Sequence, residues 1–182
     1  MSKQDFDAFI NQATKRQDDS VIDWNKTRND WITYLEQFYE TIKGFLSDYE
    51  KARKLSYDFS KKEIFEEYIG SYSVNVMDIK LGEHRVKLEP MGTNLIGAHG
   101  RVDLIGVNGK VKFVLVNKIH SAPPNIKVTI HVEGESKPEE QQTIQTEKLE
   151  LVWKIATPPP RIKYIDLNQD VFFDAMLEVI GG

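Results

Sequence analysis

The apolar positions of this chain repeat with a helical period in the first third, alternate with a period of two through the middle, and turn helical again at the end. Phe6, Phe9, Ile10 and Ala13 lie at helical spacing within residues 3–16, ahead of the polar cluster Gln17-Asp18-Asp19-Ser20, and predict a short amphipathic helix followed by a turn. The clearest periodicity comes next. Trp24, Trp31, Leu35, Phe38, Ile42, Phe45, Tyr49 and Ala52 follow one another at steps of 7, 4, 3, 4, 3, 4 and 3 residues, an apolar seam of heptad type that predicts a helix over 23–53. At 1.5 Å per residue such a helix is roughly 45 Å long, more than the width of a domain of this size. Part of it is therefore expected to project or to be covered by another helix. Ile32, Tyr39 and Leu46 form a second apolar row beside the seam, and Gly44 marks a kink or a close approach. Ser60-Lys61-Lys62-Glu63 has the spacing of a capping box ahead of Ile64, Phe65, Tyr68 and Ile69, and predicts a short helix over 61–69 stopped by Gly70.

After Gly70 the period becomes two, and β-branched and aromatic residues take over. The predicted strands are Tyr72–Lys80, Arg85–Glu89, Arg101–Gly106, Lys110–Lys118, Ile126–Glu133, Lys148–Ala156 and Arg161–Ile165. Short turns between most of them favour an antiparallel meander, and Asn108-Gly109 is the strongest turn signal, because both residues tolerate positive φ. Gly134–Gln142 reads as a longer polar connection, and Pro158-Pro159-Pro160 breaks regular structure before the last strand. Asn168 is placed to cap a helix over 169–180 that Gly181 stops. The predicted fold is α+β: a helical arm over residues 1–69, then residues 70–182 with a curved, mainly antiparallel sheet of six to seven strands and a C-terminal helix.

Composition adds exclusions. With 182 residues, 40% hydrophobic and 10% aromatic, the chain is too apolar for a disordered protein. Its net charge of -4 is spread evenly, which excludes a polyanion-binding tail. Cysteine is absent, so there is no disulfide, thiolate nucleophile or cysteine-held metal. The first residues lack the apolar stretch of a signal peptide, and the longest aliphatic or aromatic run is Phe113–Val116, far below the roughly 20 residues that span a bilayer. A cytoplasmic protein without membrane partners is expected.

Candidate chemistry is sparse. Five of the eleven glycines fall between 92 and 109, but they open no helix, so neither a Walker loop nor a dinucleotide fingerprint is present. Gly97-Ala98-His99-Gly100 matches the Gly-x-x-Gly of KH modules in letters, yet it joins strands rather than helices. These glycines are expected to form turns and bulges. His84, His99, His120 and His131 lie at no metal-ligand spacing, and no catalytic triad is visible.

A two-residue Asn108-Gly109 loop sets Val107 opposite Lys110, Ile105 opposite Lys112, Asp103 opposite Val114 and Arg101 opposite Val116. Asp103 then shares a face with Val114, Val116 and Lys118. Gly100–Gly106 and Val114–Lys118 here resemble the core of the PD-(D/E)XK nuclease fold, in which an aspartate on one strand and a Glu-x-Lys on the next share a metal ion. The resemblance implies Asp103 as the metal-binding aspartate, Lys118 as the lysine, magnesium as cofactor and nucleic acid as substrate. Val116 stands where the second acid belongs, so Glu89, or Glu63, Glu66 or Glu67 on the short helix, would have to replace it.

The expected function is a non-enzymatic interaction or self-assembly module without a cofactor. Its interface with a second copy or another protein is Trp24, Trp31, Leu35, Phe38, Ile42, Phe45 and Tyr49 on the long helix. A divergent or inactive nuclease is the second reading, and a small molecule held by the curved sheet is the third.

Overall fold

Residues 23–93, 98–118 and 150–181 are described by a computed structural model. Asp23 opens helix α1 (Trp24–Lys51) by accepting a hydrogen bond from the Lys26 amide at 3.0 Å. Seven strands follow: β1 (Ser56–Glu66), β2 (Gly70–Leu81), β3 (His84–Gly92), β4 (Gly100–Gly106), β5 (Gly109–Asn117), β6 (Leu151–Ala156) and β7 (Tyr164–Asp166). They form one curved antiparallel meander in sequence order, and helix α2 (Gln169–Ile180) closes the chain. Its Asn168 cap accepts from the Val171 amide at 3.0 Å, and Gly181 ends it with φ of 83°. The α+β class is as expected.

One face of the sheet carries Phe59, Met77, Leu88, Val102, Leu104, Phe113, Leu115, Trp153 and Ile155, and α1 lies across it. Phe38 packs against Phe113 on β5 and Trp153 on β6, while Tyr39 meets Phe59 on β1. A sheet that curves from β1 to β6 around the helix therefore takes up both apolar rows of α1. The sheet covers the middle of the helix, and near its C-terminal end a second helix covers it, as its length led one to expect, with Phe45 and Tyr49 resting on Phe172 and Phe173 of α2. Gly44 is exposed with nothing within 4 Å of its would-be Cβ, so it is not a close approach.

The segment expected as a capped helix over 61–69 is instead the far half of β1. Ser56 to Glu66 pair residue by residue with Lys80 to Gly70 of β2. A helix there would leave the matching half of β2 without this ladder and pull Ile64 off the core, so tertiary pairing overrides the local cap signal. Ser60 hydrogen-bonds Asp78 across the hairpin at 3.0 Å instead of capping. The boundary expected between residues 69 and 70 thus falls in a hairpin turn, and α1, the strands and α2 share one core.

Gly106 pairs with Gly109, so the β4–β5 turn is centred on Val107-Asn108, not on Asn108-Gly109. The Asn108 amide and its Nδ2 donate to the carbonyls of Val179 and Glu178 at the end of α2, at 2.9 and 3.1 Å. Those bonds hold Asn108 at the apex. The register shifts by two, which keeps each residue on its face but sets Asp103 opposite Lys112 rather than Val114. The predicted helix 3–16, strand Ile126–Glu133 and connection Gly134–Gln142 lie outside the described residues.

Candidate functional site

The helical seam expected as the interface lies inside the molecule. Trp31, Leu35, Phe38 and Ile42 are at most 3% exposed, enclosed by the chain's own sheet, and Phe45 is half-buried. Only Trp24 and Tyr49, at the two ends of α1, reach the surface, at 37% and 43%. A partner could meet the central residues only after the fold opened, so the seam is core and not contact surface.

The outer face of the sheet holds the residues of the nuclease resemblance. Glu89 stands directly opposite Asp103 on neighbouring strands. Each already has a cation: Arg101 clasps both Asp103 oxygens at 2.6 Å, with Lys110 at 3.5 Å, and Lys62 reaches Glu89 at 2.7 Å. Lys118 lies six residues beyond the Asp103 partner Lys112, roughly 20 Å along the strand. It pairs there with Glu150 at 2.9 Å. Among the described residues no three acids or histidines converge, and these two carboxylates spend their charge on fixed cations. The residues present do not fit a magnesium ion, and no hydrolytic step follows from them. His84 and His99 are exposed. His120 and His131 lie outside the described residues.

A different site emerges where the tip of the β1–β2 hairpin meets the start of α1. β2 pairs with β3 only over Met77–Leu81, so the far half of the hairpin is laddered on one side alone. It reaches α1 through Tyr68, whose ring stacks on Trp24 with centroids 5.1 Å apart and planes 17° from parallel. Beneath them opens a cleft of about 220 Å³, lined by Trp24, Thr27, Glu66, Tyr68, Thr93 and His99 among others.

Glu66 is 7% exposed in this cleft wall. Its carboxylate accepts from the Tyr72 hydroxyl, from the Thr93 amide at 3.0 Å and from the Thr93 hydroxyl at 2.7 Å. Gly92 makes this possible: with φ of 106° it turns the chain at the bulge ending β3, and a Cβ there would sit 3.0 Å from Glu66 Oε1. All three donors are neutral. Burial of a carboxylate is costly without compensation, and Asp103 and Glu89 are compensated by cations, whereas Glu66 forms no ion pair among the described residues. The Trp31 indole N–H lies near the Tyr72 hydroxyl but outside hydrogen-bond geometry, and remains a buried donor without an acceptor.

Burial raises the Tyr72 phenol well above its usual range, reinforced by the hydrogen bond to Glu66 and its negative charge. Tyr39, whose hydroxyl donates to the Asn75 carbonyl at 2.6 Å, is raised likewise by burial and then by Asp78. The folded chain holds these two protons past the pH near 10 at which the unfolded chain releases them. Their stabilising contribution is therefore present below about pH 10 and declines as the pH climbs above it. An ultraviolet titration should show these two tyrosines ionising only with unfolding, and Tyr39→Phe and Tyr72→Phe should each remove one such late step. Release of all seven tyrosine protons near pH 10 from folded protein would contradict the placement.

Sequence reading named Glu66 only as a stand-in acid on a helix, and did not find the cleft. Compared with protein-family models, curated proteins and solved structures, the chain matches none, and its functional reading rests on its own residues.

Proposed function

We propose that this protein is a non-enzymatic interaction module that engages a protein partner through the β1–β2 hairpin tip and the first turn of α1. The observation that carries this reading is exposure: Phe65 is 75% and Tyr68 65% accessible on one hairpin tip, beside Trp24. Aromatic side chains displayed on a paired backbone lose little entropy on binding and are frequent anchors of interfaces. Charge adds selectivity. From Glu63 to its ladder partner Ser73 the hairpin tip has Glu63, Glu66 and Glu67 and no lysine or arginine, so a basic partner segment is favoured. The interaction role expected from the helical seam is retained, but its surface moves to this end of the molecule.

Peptides selected from a random display library on the intact protein should be enriched in lysine and arginine. Synthetic copies of them should lose at least about tenfold in affinity for a Phe65→Ser/Tyr68→Ser variant. Both side chains are exposed and only the stack of Tyr68 on Trp24 is lost, so the unfolding midpoint should fall only slightly. A library that yields no binders, or binders indifferent to the double substitution, would remove this reading.

A further inference from the structure

We infer that the cleft beneath Trp24 and Tyr68 is a receptor for one alkylammonium group, with the Glu66 carboxylate as its counter-charge. The inference deepens the proposed function, and rests on it, by naming what the partner inserts. Three independent features point the same way.

The first is electrostatic. The Glu66 carboxylate is buried in a wall where, among the described residues, every hydrogen-bond donor to it is neutral. A carboxylate offers about four acceptor positions; Tyr72 and Thr93 supply three donors, and the fourth position is met only by the Thr93 amide, shared between Oε2 at 3.0 Å and Oε1 at 3.2 Å, a long contact that a charged N–H can replace. An ammonium group brings both that donor and the missing positive charge. At low exposure such a pair is screened far less than a surface pair.

The second is the aromatic wall. Trp24 and Tyr68 stack in parallel at 5.1 Å and both line the cleft. The stack takes up one face of each ring and leaves the other, and such a face attracts a cation through its quadrupole, most strongly for tryptophan, and shelters the methylene groups that precede an ammonium head. The third is size. About 220 Å³ is below the usual range for a drug-sized ligand or a nucleotide, and suits a single headgroup on a short aliphatic stem. Lysine side chains and free small amines share that chemistry.

The intact protein is titrated with n-butylammonium, with a blocked lysine (N-acetyl-lysine N-methylamide), and with the neutral blocked norleucine, following amide and indole resonances. Both cations should shift Trp24, Thr93 and His99 and saturate, with dissociation constants on the order of 1 mM, while norleucine leaves them unmoved. Tighter binding of the blocked lysine than of n-butylammonium assigns the site to a side chain, and the reverse assigns it to a free amine. Glu66→Gln should weaken both at least about tenfold, and Tyr68→Leu, at an exposed position, provides a second variant with weakened binding and an unfolding midpoint only slightly lowered. Equal shifts with norleucine, shifts away from the cleft, or no saturation would overturn the inference. Peptide binding that depends on Phe65 and Tyr68 without any ammonium binding would sink this inference and leave the proposed function standing. Saturable ammonium binding with no peptide binders would do the opposite.

Discussion

Gly100→Ala is expected to destabilise the protein by about 3 kcal/mol or more, a large part of the roughly 5–15 kcal/mol that holds a domain together. The added Cβ would lie 2.1 Å from Cζ3 and 2.4 Å from Cε3 of Trp31. Neither side can yield cheaply. Gly100 is held in the β4 ladder opposite Leu115, and the Trp31 ring is 1% exposed with Trp153 behind it, centroids 5.9 Å apart. In urea the midpoint should fall with little change in slope. Combining Gly100→Ala with Trp31→Leu should cost less than the sum of the two single changes, because the smaller side chain vacates the contested space. A Gly100→Ala protein of ordinary stability would mean that α1 does not lie on β4 as described.

Arg101→Met should cost about 3 kcal/mol for a different reason. Asp103 has 1% of its side chain exposed, and two 2.6 Å bonds from one guanidinium satisfy both its oxygens. The same hydrogen bonds raise the pKa of Arg101 above its ordinary value, so the guanidinium keeps its charge. Lys110, at 3.5 Å and half exposed, compensates only in part. Removing the arginine strands a buried charge, and it is this stranding, not the loss of a favourable bond, that destabilises. Arg101→Met with Asp103→Leu should therefore recover most of the loss, which chemical denaturation of the two variants would show. A double variant as unstable as Arg101→Met alone would reject this account.

The two forms of local periodicity were unequally informative. α1 was legible because seven apolar side chains from Trp31 to Ala52 at three- and four-residue steps have no other regular solution, and α2 because Asn168 and Gly181 bracket its stripe. The strands from β2 to β5 were legible from alternation. β1 was hidden, since Ser60 and Glu63 carry a helix-capping signal as strong as the alternation of Tyr57 and Phe59, and only pairing with β2 decides between them. The turn centre was hidden by a contact with α2, a partner some 70 positions away that no local pattern reveals. The cleft was illegible for the same reason: Trp24, Glu66 and Thr93 belong to three segments, and their meeting depends on a hairpin that sequence reading took for a helix.

The strands join strictly in sequence order, yet the helix they enclose is the first described element. The tie from the Trp153 indole to the Tyr34 carbonyl spans 119 positions. At about 5–20 residues per second, the ribosome exposes the aromatic side of α1 for on the order of ten seconds before β6 emerges to cover it. The nascent chain is thus a natural client for holding chaperones, and truncations before residue 150 should accumulate as aggregates while the full-length product stays dispersed.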